Sequence, residues 1–265
     1  MRDRRRERYL DYLTFKKLAG ELTGIDLADY KSTQMDRRIN SLKQSWNLET
    51  YDDFLTLLKT DSQRYKEFVK KLTINVSEFF RNPERFIELW QQILPELLAK
   101  RPVVRVWSAG CSNGSEPYSI AIIAHELHAA ERVQILATDV DQQILEKARQ
   151  AVYMPNEVRS LPPELLAKYF TRQDELYCLN EEIKHGIRLG FHNLLLDPFE
   201  TNLDLIICRN VVIYFTEAAK NTLYRKFLDA LRPGGYILVG GTEPLLQYRQ
   251  MGFENPLTSF YKKPE

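Results

Sequence analysis

The chain has 265 residues, 44% of them apolar and 28% charged, and 37 Lys+Arg against 36 Asp+Glu leave a net charge of +1. With 11 Gly, 12 Pro and a mean hydropathy of -0.40, the composition is that of an ordinary globular protein and excludes collagenous, low-complexity and disordered classes. Near-neutrality argues against a dedicated nucleic-acid binder, and the length suits one large domain or two small ones.

The first eight residues are basic, but the following Tyr9 to Phe15 stretch contains Asp11 and no apolar core, so no secretory signal is expected. No run of about 18 apolar residues occurs, which predicts no spanning helix, no membrane insertion and a cytoplasmic setting. Cys111, Cys178 and Cys208 are widely spaced and odd in number, as free thiols in a reducing compartment would be. His125 and His128 lack companions that would complete a metal site, so no metal is expected.

Charge divides the chain. Residues 1 to 75 hold 16 Lys+Arg and 12 Asp+Glu, net +4, and the remainder holds 21 and 24, net -3. The basic part reads as about four short helices. A first helix ends at Gly24, and a second, capped by Ser32 or Thr33, carries Met35, Ile39, Leu42 and Trp46 on one stripe with Arg37 on the opposite face. Thr50 to Asp53 has capping-box spacing ahead of Phe54, Leu57 and Leu58, and Tyr65, Phe68, Val69 and Leu72 continue the period. A linker and connecting helix occupy 76–100, with Asn82, Pro83 and Glu84 as cap, first-turn proline and first-turn acid.

From residue 101 to 265 strands alternate with helices, which predicts an α/β domain around a largely parallel sheet. Strand-like runs end at Trp107, Asp139, Cys208 and Val239, and Phe253 to Lys263 suits an antiparallel edge strand. The stretch at about 174–191 breaks the alternation. Its strand-like ends around His185-Gly186 suggest a small antiparallel insertion.

Ligands of such sheets sit beyond the carboxyl ends of the strands. Gly110 and Gly114 follow the first strand and permit close backbone approach, but their spacing is neither a dinucleotide nor a triphosphate fingerprint. Asp139 ends the second strand 25 residues after Gly114, at a spacing suited to accepting hydrogen bonds from both ribose hydroxyls. Glu116 at the mouth of the glycine loop favours a cationic ligand over a pyrophosphate, tipping the reading from NAD to S-adenosylmethionine. Asn193 and Asn210 complete a ring of polar groups at strand ends.

Four co-linear motifs, Asn75-x-Ser77-x-Phe79-Phe80-Arg81, Arg105 to Ser119, Ala137-Thr-Asp-Val-Asp141 and Cys208 to Phe215, together resemble the chemotaxis receptor methyltransferase family, CheR. The resemblance implies a class I methyltransferase-type, Rossmann-like doubly wound sheet with a small antiparallel insertion, behind an all-α N-terminal domain. It also implies transfer of a methyl group from S-adenosylmethionine to glutamate side chains of chemoreceptor cytoplasmic helices. Carried over, cofactor contacts fall on Asn75, Ser77, Arg81, Glu116, Asp139, Asn193, Leu194, Asn210 and Val211, with Gly110 beside them. Asn113 stands where Thr is common in the family, Ser115 where Glu or Gln is common, and Ser77 keeps the hydroxyl of the frequent Thr. Arg81, in the linker, and Tyr214, beyond a strand end, are the expected catalytic residues. Arg37, Arg38 and Lys43 are the expected basic contacts to an acidic receptor.

Overall fold

The computed structural model describes residues 9–73 and 77–265, and these divide into two compact units, one of residues 9–73 with 214–218 and one of residues 77–213 with 219–265. The first is helical: α1 (Tyr12–Thr23), α2 (Ser32–Ser45), α3 (Tyr51–Thr60) and α4 (Ser62–Leu72). Local chemistry sets most of the ends. Asp11 caps α1 by accepting from Thr14 N at 2.8 Å, Gly24 closes it at φ 71°, and Thr50 and Asp53 form the expected capping box on α3. Phe15, Phe54 and Phe68 are fully buried, with ring centroids 4.9 and 5.5 Å apart along that series.

The start of α2 differs from expectation. Lys31, with no side-chain bond, takes the cap position in place of Ser32 or Thr33. Its backbone N donates instead to Tyr214 O at 2.8 Å, and Thr216 N donates to Asp29 O at 2.7 Å. A return of the chain at 214–216 therefore holds the entry to the helix.

In the second unit, α5 (Pro83–Glu88) and α6 (Leu94–Lys100) are joined by a π-turn, Leu89–Ile93. Pro95, one residue into α6, has no N–H to return to the preceding turn, and the wider turn absorbs that loss. Then follow β1 (Val104–Ala109), α7 (Ser115–Glu126), β2 (Val133–Asp139), α8 (Gln142–Gln150), β3 (Val152–Tyr153), α9 (Pro155–Val158), α10 (Pro163–Tyr169), β4 (Phe170–Gln173), β5 (Leu176–Leu179), α11 (Glu181–Lys184), β6 (Ile187–Phe191), β7 (Leu203–Cys208), α12 (Glu217–Ala230), β8 (Leu231–Val239), β9 (Glu254–Leu257) and β10 (Phe260–Lys262).

The main sheet runs β6-β2-β1-β7-β8-β10-β9, parallel from β6 to β8 and closed by an antiparallel hairpin. Its order places β1 and β7 side by side at the centre, where connections depart to opposite edges, the place where sheets of this kind form a ligand crevice beyond the strands' carboxyl ends. All six residues of β7 are buried, which is why that strand is apolar apart from Asp204. Val104, Val106, Ile120, Ile123, Leu205, Ile207 and Leu238 belong to the core that spans sheet and helices.

A small antiparallel sheet exists, but its strands are β3-β5-β4, with the tight turn at Asp174-Glu175. Ile187–Phe191, expected inside the insertion, is instead the parallel edge of the main sheet, in register with Ile135 to Asp139. Ile187 and Leu189 pack against the cluster of Cys111, Ala137 and Leu145, and that burial decides the pairing. Among the described residues, no helix is long and apolar enough to cross a membrane.

Candidate functional site

The crevice is built from strand ends. After β1 the chain turns through Gly110 at φ 89° and Gly114 at φ 86°, and Gly110 N and Cys111 N both donate to Thr138 O at 2.8 Å, tying the loop to the neighbouring strand. A Cβ on Gly110 would overlap Val211 Cγ2, so only glycine lets the loops after β1 and β7 approach this closely.

Asp139 closes β2 at 9% exposure. Its Oδ2 accepts from Ser112 N at 2.9 Å and its Oδ1 from Asp141 N at 3.0 Å, while its carbonyl accepts from His192 N at 3.1 Å. Burial outweighs these bonds and pushes the carboxyl from 3.8 up to about 6. Glu116, in the first turn of α7, is also raised by burial, against the opposing pull of Arg209 and the Ser108 hydroxyl. Ser108 Oγ donates to Glu116 Oε1 at 2.8 Å, and Arg209 Nη1 lies 3.6 Å from Oε2.

Beyond β7, Asn210 sits at φ 60°, and Glu243, from the segment after β8, holds its loop. Glu243 Oε2 accepts from Asn210 N at 2.6 Å and Gly240 N at 3.0 Å, and Oε1 accepts from Ile213 N at 3.0 Å. After β6, Asn193 Oδ1 accepts from Leu195 N at 2.9 Å, and Lys226 of α12 donates to Leu194 O at 3.1 Å and Asp197 O at 3.0 Å. Each loop of the crevice is thus pinned by a polar side chain that reaches it from another element.

Residues 75–258 match the family model for the CheR methyltransferase SAM binding domain, and residues 10–73 match that for the CheR methyltransferase all-alpha domain. The chain belongs to the CheR methyltransferase family. A chemotaxis protein methyltransferase of Listeria innocua is 40% identical over 254 residues, covering 96% of this chain and 97% of that one. The corresponding proteins of Salmonella typhimurium and Escherichia coli are each 33% identical over 238 residues, covering 86% of this chain and 81% and 82% of theirs.

The protein is therefore an S-adenosylmethionine-dependent methyltransferase, and the crevice fits that cofactor. The buried Asp139 and the half-buried Glu116 suit its ribose hydroxyls and positive groups, Gly110 leaves room that a Cβ would fill, and Ser112 Oγ is buried without a hydrogen-bond partner among the described residues. Of the residues expected to hold it, Gly110, Glu116, Asp139, Asn193, Leu194, Asn210 and Val211 follow the carboxyl ends of adjacent strands in this unit. Ser77 and Arg81 belong to the same unit, and the charge of Arg81 reaches Glu116. Asn75 lies outside the described residues, as does the basic run of residues 2 to 8. Tyr214 is grouped with the helical unit, its ring 5.1 Å from the Arg38 guanidinium.

Arg209 and Glu243 were not anticipated. Arg209 directly follows the apolar run Leu205 to Cys208 of a wholly buried strand, a position where a cation that is 6% exposed must have partners, and that is the signal its motif offered. Glu243 stands alone after Gly240-Gly241, with no local pattern to mark it.

Proposed function

We propose that the protein methylates glutamate side chains on the cytoplasmic helices of chemoreceptors, giving methyl esters. The observation that carries this reading is the match over both the catalytic and the all-α domains to relatives named chemotaxis protein methyltransferase. A small-molecule methyltransferase would have no need of the basic helical unit.

A glutamate carboxylate has an ordinary pKa near 4.3, so the nucleophile is already ionised at neutral pH and no general base is required. The cofactor supplies an electrophilic methyl on a cationic sulfur. The protein's own task is alignment in a site shielded from water, and such positioning supplies on the order of 7 to 11 kcal/mol in well-oriented reactions. Asp139 would accept the ribose hydroxyls, and Glu116 would face the positive amino-acid end. Asn193 and Leu194 would line one side, and Asn210 and Val211 the other. Ser77, with Asn75 from outside the described residues, would complete the contacts. Arg81 and Tyr214 would flank the reacting groups, Tyr214 orienting the incoming carboxylate through its hydroxyl.

Arg37 is exposed on α2 and suits contact with an acidic helix. Arg38 and Lys43 are otherwise engaged: Arg38 donates to Leu72 O at 3.1 Å, and Lys43 to Leu48 O at 2.8 Å and Glu49 O at 2.6 Å. The docking role expected of all three therefore rests on Arg37.

The test is methylation of purified receptor cytoplasmic fragments with methyl-labelled cofactor, followed by mild alkali. Label released as volatile methanol supports a glutamate ester. Alkali-stable label would point to another acceptor, and unlabelled fragments would point to another substrate.

A further inference from the structure

The segment that carries Arg81 is held in an unusual way. Phe80 and Asn82, on either side of it, both adopt left-handed backbone, at φ 50° and 58°, and neither is glycine. A bulky aromatic residue in that region persists only where its surroundings over-determine it. Two buried side chains from the sheet domain do so. Ser119 Oγ, fully buried on α7, accepts from Phe80 N at 3.0 Å while donating to Ser115 O at 2.7 Å. Arg209 Nη2 donates to Arg81 O at 2.7 Å and to Asn82 Oδ1 at 2.6 Å, and its guanidinium lies 5.4 Å from the Phe86 ring. Asn82 therefore does not cap α5 with its side chain, although it occupies the cap position, because its oxygen serves Arg209.

From this clamp we infer that Arg209 and Ser119 are positioning residues that fix the backbone on both sides of Arg81 and so aim its side chain. The inference rests on the reading of Arg81 as a catalytic residue. Arg209 gathers Arg81 O, Asn82 Oδ1 and Glu116 around one planar group, a role that the compact ammonium of lysine does not reproduce.

The experiment is a double-mutant cycle in the full chain, read as the rate of methyl transfer to receptor fragments at saturating cofactor, with the melting temperature measured alongside. Arg209→Lys is expected to lower the rate roughly ten- to a hundredfold, the scale on which small misplacements act. In the Arg81→Ala background the same substitution is expected to change the rate by less than about twofold, because it acts through a side chain already removed. An equal fold-loss in both backgrounds overturns the proposal and assigns Arg209 to Glu116 or to general packing. If Arg209→Lys does not fold, Ser119→Ala, which deletes only the acceptor of Phe80 N, is judged by the same two comparisons. Should Arg81→Ala alone leave rate and cofactor affinity unchanged, the assignment of Arg81 fails first and the clamp loses its purpose. That result is separable from an additive cycle.

Discussion

Asp139 offers the most quantitative test of the site. Its carboxyl is pushed from 3.8 to about 6 by burial, so between those values the folded protein holds a proton that the unfolded chain has released. The sign follows. Stability falls as pH rises through this window, and the deficit is complete above the folded value. At about 1.4 kcal/mol per pH unit, the difference amounts to about 3 kcal/mol at pH 7, of which about 1 kcal/mol develops between pH 5 and 7. Asp139→Asn removes the titration. The amide keeps one acceptor and turns its NH2 toward Ser112 N or Asp141 N, a penalty that does not vary with pH.

Wild type and Asp139→Asn are compared by urea unfolding between pH 5 and 7.5. The wild type is expected to lose about 1 kcal/mol relative to the variant over the interval, whatever constant offset the amide introduces. Glu116 and Glu243, also raised by burial, titrate in both proteins and cancel in the difference. Binding should run the opposite way in pH. S-adenosylhomocysteine is expected to bind wild type about tenfold more weakly at pH 5 than at pH 7, because the ionised carboxylate is the form that accepts its ribose hydroxyls. The variant should bind weakly and without that slope. Parallel unfolding curves, or tighter wild-type binding at pH 5, would refute the assignment of Asp139.

Gly110→Ala forces a side chain into left-handed backbone, at about 1–2 kcal/mol, and drives its Cβ into Val211. Calorimetry should show loss of S-adenosylhomocysteine binding well before circular dichroism shows loss of fold, and Val211→Ala should recover only part of it. Glu243→Gln leaves one of three backbone donors without an acceptor, worth about 1–3 kcal/mol. Its melting temperature and cofactor affinity should fall together, and a change in neither would remove Glu243 from the loop's support. Arg37→Glu should raise the receptor KM while sparing cofactor affinity. A weakened cofactor Kd in that variant would show damage beyond docking.

Local grammar carried the helices far. Thr50 with Asp53, Asp11 and Gly24 act within a few residues of where they stand, so their sequence neighbours suffice to place α1 and α3. The misreadings share the opposite cause. Asn82 has the composition of a cap, but its oxygen is taken by Arg209, 127 residues away. The start of α2 is fixed by Tyr214 rather than by Ser32. The alternation of Ile187 to Phe191 is equally that of a hairpin arm and of a half-covered parallel edge, and only packing on Leu145 and Ala137 separates them. The strand-end residues were legible because topology alone dictates where a ligand must lie. Their supports were not, since Glu243 and Lys226 act across tertiary contacts that no sequence spacing records.

The balance of charge inside the crevice bears on ligand choice more directly than the net charge does. Burial raises the carboxyls of Glu116, Asp139 and Glu243 from their ordinary values and lowers the guanidinium of Arg209 from its own. For each carboxyl, burial penalises the ionised form more than its partners favour it. Glu243 offsets that penalty with backbone N–H groups and Glu116 partly with Arg209, whereas Asp139 has two backbone donors and, among the described residues, no cation at hydrogen-bond distance. A pyrophosphate brought into such surroundings would deepen the penalty, and a ligand bearing an ammonium and a sulfonium would reduce it. The overall charge of +1 conceals this: the basic residues are concentrated in the helical unit, and the α/β unit is left with an acidic interior that a cationic cofactor completes.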